Sequence, residues 1–376
     1  MSSHKWADLP REILELIGKC LETRVEVYRF RAICSSWRSV IPLSTSISSI
    51  SPPFNLPPPL SVTAVLSPVF FYLLEDETRT ASCLIKVTQS TSGEMKIMDP
   101  LSSQYSIRKN SLTPAKSINI LNLRLVQVFK SYRFIYYMHK PTLDITVKRF
   151  VLFGKCGIFM VNDAGELRCF RFHDQNWTNL GDEGTKYDDV VVYKGQYYVV
   201  DTLGTVYWID SESMTLVQFS PPLFGLGQVK NLIVSGGELF VVDTYYDDGQ
   251  SQRLVDDFER VDMRIYRLDE EWGRWVDVRS LDDRVFLLAK EGCFSVSTKD
   301  IPGCNCNCNC VYFSEAKMQD RYLTTEFKRF FARVFDIQDR KRMKMVDCYP
   351  SHRKLFDLLM NFPCTLSPPE FPVNLE

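Results

Sequence analysis

The chain has little of what catalysis and nucleic-acid binding usually require. Its 45 basic residues nearly balance 46 acidic ones, which gives a net charge of −1 and excludes the strong positive field typical of nucleic-acid binding. Only four of its 376 residues are histidines, and none stands near a Cys or carboxylate set with the spacing of metal ligands. P-loops, GxGxxG turns and Ser nucleophile elbows are also missing. We therefore expect no catalytic residue, no metal, no cofactor and no nucleic-acid partner.

Apolar runs long enough to cross a membrane are missing as well. The longest, Val62 to Leu74, contains Pro68 and is shorter than the roughly 20 residues that a spanning helix needs. The N-terminus is polar and has no apolar segment of the signal-peptide type. We expect no membrane contact, and the twelve cysteines are expected to be reduced thiols in the nucleus or the cytoplasm. A disulfide-bonded secreted protein is the alternative.

The N-terminal 40 residues carry a helical pattern. Ile13, Leu14, Ile17 and Leu21 recur at steps of three and four, and the stretch from Val27 to Trp37 repeats that spacing after a break. Two or three short helices cannot bury this much apolar surface among themselves. We expect the surplus to form a docking face for another protein.

This stretch resembles an F-box. The pattern L-P-x-E-I-L-x-x-I starts at Leu9, and Y-R-F-R-A-I-C-S-S-W-R follows it from Tyr28; Ile33 stands where Val is more usual in that family. The resemblance implies binding to a Skp-type adaptor and, through it, to a cullin and a RING subunit. The residues expected to bind the adaptor are Leu9, Pro10, Ile13, Ile17, Leu21, Ile33, Cys34 and Trp37. The alternative is an ordinary helical hairpin packed on its own domain.

The rest of the chain reads as a linker followed by strands. Residues 46–61 are rich in Ser and Pro, which favours an extended spacer. From residue 62 to 376, short Val-, Ile-, Tyr- and Phe-rich runs alternate with turn residues. A unit of Gly turn, four-residue apolar strand and Asp or Asn-Asp recurs, with Asp163, Asp201 and Asp243 about 40 residues apart. This period predicts an all-β domain, a β-propeller of six or seven blades with kelch-like repeats, behind a small all-α module at 1–45.

The strand region also resembles a known family. Ile97-Met98-Asp99-Pro100-Leu101-Ser102 is similar to the first-blade turn of the plant F-box proteins with a KIB-type β-propeller. Asn309-Cys310-Val311-Tyr312-Phe313-Ser314 and Val334-Phe335-Asp336-Ile337 are similar to late strands of that family. The resemblance implies a substrate-recognition domain behind the F-box.

Two groups of reactive side chains need an interpretation. Cys304, Cys306, Cys308 and Cys310 alternate with Asn; on an extended strand their sulfurs would lie roughly 7 Å apart, too far for one tetrahedral ion. We favour a loop tract, and a coiled tract that binds zinc or copper is the alternative. The paired carboxylates, Asp188-Asp189, Asp247-Asp248 and Asp256-Asp257, stand among turn residues and are predicted to be solvated.

These patterns together predict a non-catalytic protein. We expect the substrate-recognition subunit of a Skp–cullin–F-box ubiquitin ligase, with Tyr245, Tyr246 and Asp247 as candidate substrate contacts. Two alternatives remain: an F-box scaffold that acts outside a ligase, and a propeller enzyme. The run Arg340-Lys341-Arg342-Met343-Lys344 indicates a hairpin turn or a nuclear-import signal.

Overall fold

In the part of the chain that the structure describes, a small helical module is followed by a β-propeller of five sheets. The computed structural model describes residues 6, 9–21, 23–41, 54–57, 62–75, 82–89, 95–98, 100–101, 116–119, 124–136, 147–154, 156–172, 174, 176–246, 261–300, 309–315, 331–344 and 364–367. No helix in these ranges is long and apolar enough to cross a membrane.

Three short helices form the N-terminal module: α1 (Arg11–Cys20), α2 (Arg24–Ala32) and α3 (Ser35–Val40). Helix α2 begins with a capping box, because the Thr23 hydroxyl accepts from the Glu26 backbone N–H and the Glu26 carboxylate accepts from that of Thr23. Arg31 donates to the carbonyl oxygens of Arg38 and Ile41, which ties the end of α3 back onto α2.

The strands follow in chain order. The first group is β1 (Phe54–Leu56), β2 (Val62–Glu75), β3 (Ser82–Gln89), β4 (Met95–Met98), β5 (Lys116–Asn119), β6 (Arg124–Tyr136), β7 (Val147–Phe153), β8 (Gly157–Asn162), β9 (Leu167–Arg171), β10 (Thr178–Leu180), β11 (Tyr187–Tyr193) and β12 (Gln196–Asp201). The second group is β13 (Val206–Asp210), β14 (Thr215–Gln218), β15 (Val229–Ser235), β16 (Glu238–Tyr246), β17 (Val261–Asp269), β18 (Arg274–Val278), β19 (Arg284–Ala289), β20 (Gly292–Ser297), β21 (Cys310–Glu315), β22 (Phe331–Asp336), β23 (Lys341–Lys344) and β24 (Cys364–Ser367).

Three of the sheets are regular four-stranded blades. Blade 2 contains β7–β10, blade 3 contains β11–β14 and blade 4 contains β15–β18, each with antiparallel neighbours in chain order. The turn between β15 and β16 is tight and uses Gly236 and Gly237, both with positive φ, a conformation that favours glycine. The apolar runs that precede Asp163, Asp201 and Asp243 in the sequence repeat lie within β8, β12 and β16 of these blades.

Blades 1 and 5 are irregular. Blade 5 has the order β20-β19-β21-β22-β23, and β19 pairs with β21 in parallel. Blade 1 has seven strands: β2 pairs with β6 over the length of both, its other edge pairs with β1 and β3, and β24 is inserted between β4 and β5. The last described segment of the chain therefore completes the first sheet.

The prediction of six or seven blades was wrong, because the described strands form five sheets. The estimate divided the strand region by a constant repeat length of about 40–50 residues. Blade 1 breaks that assumption, since it takes strands from residues 54–136 and from 364–367. The long β2–β6 pair occupies sequence that an even division assigns to further blades.

The module and the propeller meet on one side of α2. Val25 and Tyr28 belong to the same buried cluster as Phe70, Tyr72 and Ile85 of blade 1. Burial raises the pKa of Tyr72, and charges at Glu26 and Arg29 of α2 also act on it. Within the range predicted as a linker, Phe54–Leu56 forms β1 and pairs with β2.

Candidate docking sites

The helical module has its own apolar centre. Leu14, Phe30 and Trp37 are buried together, and the Phe30 and Trp37 ring centres lie 4.6 Å apart. Around them pack the partly buried Leu9, Ile17, Leu21, Cys34, Val40 and Ile41. Trp37, 6% exposed, also donates from Nε1 to the Trp6 carbonyl oxygen at 3.1 Å. Four of the eight residues predicted to bind an adaptor therefore surround the module's centre, and a fifth, Trp37, is part of it.

Two of the remaining predicted residues are exposed apolar side chains. Ile13 is 42% and Ile33 is 52% exposed, and Pro10 at the start of α1 is also exposed. Leu16, which sequence reasoning missed, is 57% exposed. Its position three residues after Ile13 could have revealed it, because side chains three apart share a helix face. These side chains are free of the sheet contact that Val25 and Tyr28 make.

The two described candidate substrate contacts lie at the end of β16. Tyr246 is at the limit of the β16–β17 pairing, opposite Val261. The guanidinium of Arg264 lies 5.6 Å from the centre of the Tyr245 ring, which is a cation–π distance. Asp247 lies outside the described residues. The two tyrosines are therefore the last two residues of β16, and β17 begins at Val261.

Asp188 and Asp189 differ from their prediction as solvated carboxylates. Both are buried on β11, which lies between β7 and β15. Lys148 donates to Asp188 at 2.8 Å, and Arg149 donates to Asp189 at 2.9 Å. Each carboxylate also accepts a backbone N–H from β15, at 3.0 Å. These contacts link blades 2, 3 and 4. Each oxygen of the two carboxylates accepts a hydrogen bond, so none is unused for acid–base chemistry.

Arg149 extends this network to blade 5. It donates from Nη1 to the carbonyl oxygens of Ala289 and Lys290, at 3.0 and 2.7 Å. Burial alone would lower the pKa of Arg149, but the Asp189 carboxylate raises it above its ordinary value. The same burial raises the pKa of the neighbouring Cys293 thiol to about 12. The arrangement keeps the guanidinium charged and the thiol neutral, which is consistent with a structural role in linking the blades.

A polar cavity of about 510 Å³ lies between blades 1 and 5. Its charged lining residues are Glu75, Arg124, Arg284, Lys299 and Asp300. Arg124 pairs with Glu75 at 3.2 Å, and Lys299 with Asp283 at 3.5 Å. Its charges largely compensate one another, so it does not favour a ligand of one charge.

Of the alternating cysteines, only Cys310 lies in the described part of the chain. It is buried at the start of β21, opposite Asp336 of β22. The described ranges bring together no group of three or more His, Cys, Asp or Glu that could hold a metal ion. Cys304, Cys306 and Cys308 lie outside those ranges, so the choice between a loop tract and a metal site stays a prediction.

Comparison with known proteins places these features in a family. A family model described as the KIB1-4 beta-propeller matches residues 69–341. The F-box protein At2g17036 of Arabidopsis thaliana is 28% identical over 384 residues, and the F-box protein SKIP23 of the same plant is 28% identical over 396 residues. Both alignments cover 93% of this chain and 93% of the relative.

A solved structure shows only a slight likeness. The beta-propeller domain of Myceliophteria thermophila Cps50 (Swd1) aligns over 55% of this chain and 84% of its own, with 9% identity and a TM-score of 0.25. A likeness of this size supports no conclusion about function.

Proposed function

The chain belongs to the KIB1-4 β-propeller family, and from that premise we propose that it is the substrate-recognition subunit of a Skp–cullin–F-box ubiquitin ligase. Its similar relatives in Arabidopsis thaliana are named F-box proteins. The N-terminal module would bind a Skp-type adaptor and thereby a cullin and a RING subunit. The propeller would hold a protein substrate.

The observation that carries this proposal is the exposure of large apolar side chains on the helical module. Ile13, Leu16 and Ile33 remain open to solvent although the module has its own buried centre and a separate contact with blade 1. Exposed apolar groups on a small module are typical of an interface. Helix α2 fixes the module to the propeller, so a bound adaptor would stand at a defined distance from the substrate.

The proposed role is non-catalytic. Ligation chemistry would take place on the partner enzymes, and this chain would raise the effective concentration of the substrate near them. The buried carboxylates of blade 3 support this role, because their oxygens are engaged by Lys148, Arg149 and backbone N–H groups.

The test is co-purification with a Skp-type adaptor. We expect the double variant Ile13→Asp, Ile33→Asp to bind the adaptor at least about 30-fold more weakly. Together the two charges should cost about 2 kcal/mol or more of binding free energy. The control is Trp272→Asp, which places a charge at a more exposed apolar site in the β17–β18 turn of blade 4. Unchanged binding by the double variant would refute the docking assignment.

A second measurement separates a ligase subunit from an F-box scaffold. The adaptor-bound chain is incubated with a cullin and a RING subunit, and the assembly is followed by size-exclusion chromatography. A ligase subunit enters one complex with all three partners. A chain that binds the adaptor but excludes the cullin is a scaffold that acts outside a ligase.

A further inference from the structure

The seam between blades 1 and 5 is tight at one end and hollow at the other. At the start of β20, Gly292 lies so close to the Phe129 ring of β6 that a Cβ atom there would collide with it. The rings of Phe129 and Phe294 stack with their centres 4.6 Å apart. Further along, residues 124 and 126–128 of β6 and 295–297 of β20 line the polar cavity of about 510 Å³. We call this space the seam cavity, and its volume lies in the range of small-molecule sites, about 300–1,000 Å³.

Part of the lining of the seam cavity is apolar. Leu73, Val126, Val128 and Val296 contribute to it. Leu73 and Val296 belong to the buried cluster between the two blades, and Val128 packs against that cluster. Val126 is 37% exposed, although it is a large apolar side chain. The cavity therefore offers a short aliphatic chain a surface that the core holds in place.

A buried carboxylate lines the cavity with one oxygen that accepts no hydrogen bond. Glu75 is the last residue of β2, and its side chain is 9% exposed. Arg124 Nη1 lies 3.2 Å from Glu75 Oε2, but no residue in the described ranges donates a hydrogen bond to that oxygen. A buried polar atom without a donor costs free energy. The ammonium group of a ligand, with its three N–H donors, would remove that cost.

A guanidinium lines the same cavity, and the described part of the chain gives it no carboxylate partner. Arg284 donates from Nη1 to Ser295 Oγ at 3.0 Å. The carboxylate of the preceding residue, Asp283, is engaged elsewhere, since it accepts from Ser297 at 2.6 Å and pairs with Lys299 at 3.5 Å. The contact with Ser295 orients the Arg284 side chain and leaves its charge available for an anionic group of a ligand.

Charges of both signs thus line the seam cavity. A ligand with only a negative charge would meet Glu75, and a ligand with only a positive charge would meet Arg284, so each would bind at a cost. Lys299 and Asp300, both exposed, add one further charge of each sign. A ligand with an ammonium group and a carboxylate on a short aliphatic body satisfies both charges and covers the apolar lining at the same time.

We propose that the seam cavity is a binding site for a small aliphatic zwitterion of the amino-acid type. Its ammonium group would donate to Glu75, and its carboxylate would accept from Arg284. Its methylene groups would pack against Val126 and Val296. This site is separate from the helical module, and the inference does not depend on the proposed function.

The probes are leucine, γ-aminobutyrate and ε-aminocaproate, three aliphatic zwitterions whose charges are different distances apart. Caproate and hexylamine are the singly charged controls. Binding to the full-length chain is detected by saturation-transfer NMR and quantified by calorimetry. We expect at least one of the zwitterions to bind, and caproate and hexylamine to bind at least about tenfold more weakly, because each lacks one charge-assisted contact.

Two substitutions test the charges separately. Glu75→Gln should weaken zwitterion binding at least about tenfold and leave caproate binding no weaker. Arg284→Gln should weaken zwitterion binding by a similar factor and leave hexylamine binding no weaker. The matched controls are Glu238→Gln and Arg267→Gln, which change the two members of a more exposed ion pair on blade 4, and both should bind the zwitterion as the unchanged chain does.

A third substitution tests the cavity without changing a charge. Val126→Trp places a large ring in the seam cavity from a position that is already partly exposed, so the buried core need not move. We expect this variant to lose zwitterion binding and to keep the thermal unfolding midpoint of the unchanged chain. It therefore decides the question even if Glu75→Gln or Arg284→Gln fails to fold. Co-purification with a Skp-type adaptor should be the same for this variant and the unchanged chain.

Three results would overturn the proposal. One is that none of the three zwitterions binds at millimolar concentration. Another is that caproate or hexylamine binds as tightly as the best zwitterion, which would mean that the cavity recognises one charge only. The third is zwitterion binding that Val126→Trp leaves unchanged, which would place the ligand at another surface.

Discussion

Trp37 stabilises the helical module from within. Its ring packs on Phe30, its Nε1 donates to the carbonyl oxygen of Trp6, and Leu14 completes the buried centre. Three short helices have few other large side chains with which to form a core. A change at Trp37 therefore alters the shape of any docking face as well as its composition.

We expect Trp37→Ala to destabilise the module by about 3–5 kcal/mol, because it leaves a cavity of aromatic size. The measurement is the rate of tryptic cleavage at Arg24, Arg29, Arg31 and Arg38 in the full-length chain, which should rise strongly. Trp37→Phe keeps most of the volume and should cleave only slightly faster. Cleavage of Trp37→Ala at the unchanged rate would show that the tryptophan is not a core residue.

The cysteines should differ sharply in reactivity. Burial raises the pKa of Cys169 to about 11 and that of Cys293 to about 12, and only the thiolate is a nucleophile. Cys20 and Cys156 are exposed. In native protein treated with iodoacetamide at pH 8, mass spectrometry should find Cys20 and Cys156 labelled and Cys169 and Cys293 protected. Rapid labelling of Cys293 would contradict the burial of its thiol beside Arg149.

At the scale of elements, strand β11 joins the blades through two adjacent carboxylates. Successive residues of a strand normally face opposite sides, yet a bulge between Tyr187 and Asp189 accompanies the burial of both Asp188 and Asp189. Sequence reasoning saw paired acids among turn residues and predicted solvation. Their partners, Lys148 and Arg149, lie 40 residues earlier in the chain, and no local pattern connects them.

We expect Asp189→Asn to lower the free energy of unfolding by about 3–5 kcal/mol, because it leaves Arg149 as a buried charge without its counterion. The readout is the midpoint of urea unfolding. Glu238→Gln breaks the Arg267–Glu238 pair, whose side chains are 41% and 49% exposed, and should cost about 1 kcal/mol or less. Equal effects of the two substitutions would show that the Asp189 pair is no stronger than a surface pair.

At the scale of the whole molecule, blade 1 joins the first and the last described strands, β1 and β24, in one sheet. Strand β24 pairs with β4 in antiparallel and with β5 in parallel orientation. Its removal would leave the backbone groups of both neighbours without these partners, and such open edges are prone to pair with other chains.

Truncation of the chain tests this arrangement. A chain that ends at residue 360 lacks β24 and should unfold at lower temperature and aggregate, as followed by thermal unfolding with light scattering. The control ends at Pro368 and retains β24, so it should behave as the full chain does. Equal stability of the two truncated chains would mean that β24 does not close blade 1.

The regular part of the fold could be predicted from the sequence, and the irregular part could not. The repeats near Gly154, Gly195 and Gly236 gave the strands of blades 2–4, because antiparallel neighbours in those blades are also neighbours in sequence. The blade number depended on blade 1, whose pairing of β24 with β4 is long-range. Helical spacing predicted the apolar positions Ile13 and Ile33, whereas the burial of Asp188 and Asp189 depends on Lys148 and Arg149, 40 residues earlier in the chain, and left no periodic signal.

The most direct test of the central claim is hydrogen exchange of the full-length chain with and without a Skp-type adaptor. The account predicts that the adaptor slows exchange at the amides of α1, α3 and the residues around Ile33. The five blades should exchange as before. Protection in the blades with none in α1 and α3 would contradict the account, because the adaptor would then occupy the surface assigned to the substrate.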